Sequence, residues 1–485
     1  MCGLVAAPWS RATPAGWRLK SAFTGVCKPL LRMAPFAAQP LDFLSGRLLA
    51  WRNGVLNAAA VLTSCLALTT ATPESLDLSS APGDLQLVEL LWARSPDLVA
   101  ARAKLGQSEA DVTRSELFPN PGFDFQWGTL AVGPTNPPGL DKLKDVPNYT
   151  FTLNQPVEIA KRGPRQAASR ASRDAALFDA VELLRQRWFD LLERISEVAT
   201  AEIRVGALEE TVRDAQRLAD LQLERQKRGD IAGLDVDRAV LEAEKYASNL
   251  GQERERLSAA LLLCAQAVGL PCRPFGSPDV ARAFLAGRLA VAPPPANLDT
   301  RPDLRSLQAQ EASARSSLVL ARNRWIPDPT FRVGYVLDEF TVAGNQHQSV
   351  FVGVSMPLPF FDHGQADAKA ASALAEAAGQ AQLLLRAASV RDLASLEQQR
   401  AAALARRSRL MERTLPLARD VVQRLESAVT RGGAPLPDLL LARRTLGDLQ
   451  LDAADLDLFA FHLTVAQARA AGELPPLPET IPHVP

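Results

Sequence analysis

The chain has 485 residues, carries a formal net charge of +0, and is 47% apolar and 22% charged. Those values are ordinary for a folded protein, and the charge balance excludes a global field that would recruit nucleic acid. Four histidines (His347, His363, His462 and His483) stand singly, so no metal-ligand cluster or resident cofactor is visible. No phosphate loop, nucleophile elbow or Cys–His constellation is present either, and the chain reads as no enzyme.

Residues 1–64 read as a leader. Arg47 and Arg52 precede an apolar run from Gly54 to Leu62, followed by Thr63, Ser64 and Cys65. A positive flank, a short apolar stretch and small residues are the parts of a secretory signal, and the run is too short to span a membrane as a helix. Leu62-Thr63-Ser64-Cys65 resembles a lipobox, which makes Cys65 the candidate lipidation site. Plain cleavage near Ala71 is the alternative, and Met33 is an internal candidate for the start. Residues 65–83 form a linker. Without the leader the cysteines are Cys65, Cys264 and Cys272. The last two could pair across a helix end in an oxidising compartment, but two unpaired thiols are the expectation.

The chain writes one unit twice. Ser95-Pro96-Asp97-Leu98 returns as Arg301-Pro302-Asp303-Leu304, and Phe118-Pro119-Asn120-Pro121-Gly122-Phe123 as Ile326-Pro327-Asp328-Pro329-Thr330-Phe331. Gln155-Pro156-Val157 matches Met356-Pro357-Leu358, and Arg228-Gly229 matches Arg431-Gly432, all at offsets between 201 and 208 residues. Ordered correspondence at one offset marks an internal duplication. The first repeat covers 84–270 and the second 301–472, joined by a Pro-rich linker over 271–300 and closed by a Pro-rich tail over 473–485.

Each repeat opens with a helix, about 84–117 and 303–325, stopped by a proline. Strands follow at 122–132 and 148–157, and at 329–340 and 348–358. Phe123, Phe125 and Trp127 alternate with Asp124, Gln126 and Gly128, and Tyr149, Phe151 and Leu153 alternate with Thr150, Thr152 and Asn154. Period two with one apolar face marks strands that are wet on the other face. Lumen-facing Asp124, Gln126, Thr152, Asn154 and Arg332 are expected to wet a pore. The strand-to-helix glycines Gly163 and Gly364 are expected to need positive φ.

A long helical hairpin completes each repeat, 165–268 and 365–471. Leu177, Val181, Leu184, Trp188, Leu191, Ile195 and Val198 keep a strict 4-3 spacing, a coiled-coil seam. At ~1.5 Å per residue the outgoing helix reaches about 95 Å, too long for a compact domain. Pro416 should kink its counterpart. Four strands of about ten residues suit a bilayer, yet four cannot close a barrel and an open edge is not tolerated in lipid.

On these marks, together with Gln155-Pro156-Val157-Glu158-Ile159-Ala160-Lys161-Arg162-Gly163 and Pro357-Leu358-Pro359-Phe360-Phe361-Asp362-His363-Gly364-Gln365, the chain from about 84 to 472 resembles the TolC-like outer-membrane efflux proteins. The form of the 155–163 stretch looks most like the heavy-metal (cobalt–zinc–cadmium type) branch. The resemblance implies a mainly α chain with a membrane β-barrel: a homotrimer with a 12-stranded β-barrel in outer-membrane lipid above an α-helical barrel in the periplasm. It implies a periplasmic adaptor (membrane fusion protein) and an inner-membrane pump of the resistance-nodulation-division type as partners. It places the breaks at Gly229 and Gly432 at the periplasmic tips and Asp438 at the gate. Asp235 occupies the corresponding place in the first copy. Asp438 could instead simply cap its helix N-terminus, and for Asp235 a cap or an adaptor contact is the expectation. Leu441 stands where a second acidic ring is expected. Arg228 and Arg431 read as adaptor contacts or helix C-caps. A drug duct of the same fold is the alternative; a periplasmic coiled-coil adaptor or scaffold would instead carry one hairpin between β-domains.

Overall fold

The structure, a computed structural model, describes residues 75–128, 132–291, 296–339 and 346–477. All lie in one compact unit, Thr72–Pro485. The leader and Cys65 fall outside the described residues. Among those described, no helix is long and apolar enough to cross a membrane.

The duplication is visible as matched elements. A first helix splits at Ser95, whose neighbour Pro96 supplies no N–H, into α1 (Asp84–Arg94) and α2 (Pro96–Glu116). Strands β2 (Gly122–Gly128) and β3 (Asn148–Pro156) follow the two-residue β1 (Leu76–Asp77) in chain order. Then come α3 (Arg162–Lys227) and its return α4 (Gly233–Val268). In the second copy α6 (Pro302–Arg322) leads to β5 (Thr330–Asp338) and β6 (Gln348–Ser355). β6 stops before Met356-Pro357-Leu358-Pro359, where two prolines remove ladder donors.

The second outgoing helix is interrupted. The 66 residues of α3 correspond to α7 (Gln365–Arg409, 45 residues), a π-helical turn Leu410–Thr414 (5 residues) and α8 (Leu415–Thr430, 16 residues). Pro416 explains the turn: it offers no N–H, and its ring crowds the Glu412 carbonyl, so the backbone takes the wider π spacing. The return helix α9 (Leu436–Ala471) has 36 residues, as α4 does, and both end on a left-handed glycine, Gly269 and Gly472.

Three expectations are corrected. The linker over 271–300 is not a bare connection: it contains β4 (Cys272–Arg273), which pairs in parallel with β1, and α5 (Pro278–Ala290). Ser277 caps α5 through its hydroxyl, accepting the Val280 N–H, and Pro278 takes the first helical place. Cys264 and Cys272 are not free thiols but a disulfide, with Cα atoms 6.1 Å apart. The left-handed cap at Gly269 (φ 75°) turns the chain back so that Cys272 lies beside the last turns of α4. Gly163 has no positive φ; the left-handed residue of the first copy is Ala160 (φ 60°), whereas Gly364 has φ 87° as expected. The second copy holds the Ala160 turn in place. Asn323 donates to the Ala160 carbonyl at 2.6 Å, and Asp328 accepts from the Ile159 N–H at 3.0 Å and pairs with Lys161 at 2.6 Å.

The main core gathers around the middle of α3. Trp188, Leu191, Leu192, Ile195 and Val198 pack with Leu87, Leu91 and Trp92 of α1, Leu285 of α5 and Phe461 of α9. The 4-3 seam is this core. Charge is buried here as well: Glu202 is 7% exposed, and one oxygen accepts the Phe275 N–H at 2.8 Å. Desolvation pushes the Glu202 carboxyl up, with the Phe275 and Gly276 amides opposing. A carboxyl raised on folding binds its proton more tightly folded than unfolded. Its ionised form therefore subtracts stability above that pKa, and the penalty fades as pH falls through it. Glu202→Gln should melt higher than wild type at neutral pH, and melting curves on lowering the pH should bring the two together.

Candidate functional site: the sheet wall and the hairpin tips

The strands form one antiparallel sheet in the order β2–β3–β5–β6, and among the described residues β2 and β6 have no partner on their outer edges. Register places every alternating apolar residue on one face. Phe125 lies opposite Phe151, Phe151 opposite Tyr335, and Tyr335 opposite Val350; Leu153, Val333 and Val352 form the next such row. These side chains are exposed, Val352 at 76% and Phe123 at 67%. Water would not tolerate so contiguous an apolar face on a soluble monomer.

The opposite face is polar. The row Asp124–Thr152–Gly334–Phe351 runs across it, beside the rows of Gln126–Thr150 and Asn154–Arg332. Asn154 donates to Asp124 and accepts from Arg332 Nε at 3.1 Å, which couples three strands. The one aromatic here, Phe351, lies over Gly334, where a methyl group would run into its ring. The five residues expected to wet a pore thus share one face.

At the far ends of the hairpins the two tips have one geometry. Gly229 (φ 84°) and Gly432 (φ 76°) each end an outgoing helix in the left-handed region. Asp230 N–H bonds to the Arg225 carbonyl at 3.0 Å, and Gly433 N–H to the Ala428 carbonyl at 2.8 Å, which satisfies helix-end acceptors. Arg431 turns its Nε back onto the Ser427 carbonyl at 3.0 Å, so it caps its own helix. Arg228 is exposed, and its backbone N–H closes α3.

Asp235 and Asp438 both sit in the first turn of a return helix, and neither serves as an N-cap; those places are held by Ala232 and Pro435. Asp235 pairs with Arg238 at 3.5 Å. Asp438 is exposed on the wall of a groove of about 410 Å³ between α8 and α9, beside Leu417, Val421 and Leu441. Among the described residues no hydrogen bond or ion pair joins one tip to the other. The link lies higher up: Leu218 of α3 packs with Val422, Leu436 and Leu439, while Arg443 donates to the Asp214 carbonyl at 2.9 Å and pairs with Glu426.

Sequence reading missed the ion clusters that tie the helices together. Arg204 of α3 grips Glu253 of α4 and Asp455 of α9, and Arg407 of α7 meets Asp457 of α9 at 2.5 Å. Asp457 is 6% exposed, and desolvation raises its pKa despite Arg407. These partners lie tens to hundreds of residues apart, so no local signal announces them.

Residues 294–471 match the family of outer membrane efflux proteins. The chain is 26% identical over 366 residues to the cobalt-zinc-cadmium resistance protein CzcC of Cupriavidus metallidurans, covering 72% of this chain and 80% of that protein. Over residues 294–471 the chain is similar to the outer membrane efflux proteins. A second relative, the pyoverdine export outer membrane protein OpmQ of Pseudomonas putida, is 26% identical over 415 residues, covering 80% of this chain and 85% of its own length. The fold aligns with the crystal structure of CusC at a TM-score of 0.65 and 16% identity, over 80% of this chain and 92% of that one. Members of this family are channels rather than enzymes.

Proposed function

We propose that three copies of the chain close a 12-stranded β-barrel over an α-helical barrel, and that this duct exports heavy-metal cations. The observation that carries the assembly is the open sheet with its largely apolar, exposed face. Lipid accepts the face and rejects the free edges, so strands of neighbouring copies must pair. Two copies would supply eight strands, and a barrel of that size is filled by its own side chains; three leave room for a passage. The tips face a periplasmic adaptor, with an inner-membrane pump of the resistance-nodulation-division type behind it.

The cargo reading rests on similarity to a cobalt-zinc-cadmium resistance protein. A specific observation favours a second reading, an organic cargo: the pyoverdine exporter matches over more of the chain. Deleting the gene and measuring tolerance to zinc, cobalt, cadmium and copper beside drugs separates them. The metal reading predicts lost metal tolerance; unchanged metal tolerance with raised drug sensitivity overturns it.

Asp438 is the gate residue in this reading, because it is exposed and bonded to no helix-end amide, whereas Asp235 is engaged by Arg238. Three copies around an axis attract cations and repel one another. In single-channel recordings Asp438→Asn should lower the cation-to-anion conductance ratio about fivefold, the Boltzmann factor of ~1 kcal/mol at water-like screening. Asp235→Asn should leave it unchanged.

A further inference from the structure

The Cys264–Cys272 bond holds together more than two cysteines. Cys272 opens β4, which pairs with β1, and the Leu76 N–H bonds the Pro271 carbonyl at 2.9 Å. Three residues on, the Phe275 N–H satisfies the buried Glu202 of α3. The chain then enters α5, where the Phe284 ring packs at a tilt against Phe275 and against Phe461 of α9, at 5.4 and 5.9 Å between ring centres. Arg288 of α5 pairs with Asp84 of α1. The segment from Cys272 to Ala290 is therefore a belt. It starts on the first copy's hairpin and reaches α9 of the second, and its covalent attachment to α4 is this disulfide.

We propose that the two thiols are joined after export by a disulfide-bearing thiol oxidant of that compartment, and that the bond clamps the belt that ties the two copies together. Burial sets the order of the chemistry. Cys264 is 0% exposed within the main core, while Cys272 is half-buried at the belt's first residue. The Cys272 thiolate attacks one sulfur of the oxidant's disulfide, forming a mixed disulfide and releasing the other sulfur as a thiolate. The Cys264 thiolate then attacks the Cys272 sulfur and expels the oxidant's remaining thiolate. The two cysteines lose two electrons and two protons, and the oxidant leaves with both of its sulfurs reduced.

Peptide mapping of protein taken from the outer membrane, alkylated under denaturing conditions without reductant, should find both cysteines unlabelled and linked. Purified Cys264→Ala protein given oxidised glutathione should accumulate a glutathione adduct on Cys272, and Cys272→Ala protein should form far less on Cys264. Reducing and alkylating the wild-type channel, or making the double variant Cys264→Ala/Cys272→Ala, should lower the melting midpoint by about 5 °C. If the double variant does not reach the membrane, the reduced wild-type protein supplies that measurement. Free thiols at both positions in freshly isolated channel overturn the proposal, as does faster adduct formation at Cys264 or a melting midpoint indifferent to reduction.

Discussion

Arginine in place of Val352 should abolish the outer-membrane form of the protein. Val352 lies in mid-strand on β6, opposite Val333, with 76% of its surface exposed on the apolar face. Little among the described residues covers it, so in water the substitution would be nearly neutral or favourable. In lipid, arginine at the bilayer midplane costs about 2–4 kcal/mol per copy, and an assembly pays it in every copy. Ser349→Arg, on the same strand but the other face, should be tolerated because that face is wet. Envelope fractionation and unheated electrophoresis read the difference: Val352→Arg should lose the heat-sensitive oligomer while Ser349→Arg keeps it. Equal behaviour would mean that the apolar face meets protein rather than lipid.

Gly364→Ala should be the most damaging single-methyl change. Gly364 sits at φ 87° where the chain passes from β6 to α7, and the Asp362 carboxylate accepts its N–H at 2.9 Å. A residue with a Cβ costs roughly 1–3 kcal/mol in that backbone region. Here the methyl group would also run into the Ala321 carbonyl at the end of α6, inside van der Waals distance. Overpacking adds typically 1–3 kcal/mol, and a backbone carbonyl cannot turn aside as a flexible side chain can. Gly163→Ala is the control. That glycine lies within α3 with open space around the added methyl, so the change should be neutral or slightly stabilising. Denaturant or thermal melting of the two purified variants checks the contrast.

The pair also shows what the sequence made legible. Repeats, proline stops and period-two alternation are local signals, and they were enough to find both hairpins and the polar and apolar faces of the sheet. Phe351 is an aromatic on the polar face, and the structure seats it over Gly334. Gly163 and Gly364 occupy matching places, yet only one is left-handed. Ala160 takes that role in the first copy because Asn323 and Asp328 of the second copy hold its turn, and such a cross-copy contact leaves no local trace. The belt was hidden for a related reason. Its prolines read as a linker, whereas its first residues pair with Leu76 and Asp77, almost two hundred residues earlier, and that distant pairing leaves no local trace. At the tips the break glycines were readable from their Arg-Gly pairs, whereas the Arg443 tie to Asp214 joins helices 229 positions apart.

The central claim is that this chain makes a channel only in company, because the four-stranded sheet among its described residues leaves two edges open. The mass of the detergent-solubilised outer-membrane protein, with detergent subtracted, tests it directly. The account predicts three chains per particle, and cysteine pairs scanned along β2 and β6 should cross-link one chain to the next. A particle of one or two chains, with no cross-link between those edge strands, would contradict it.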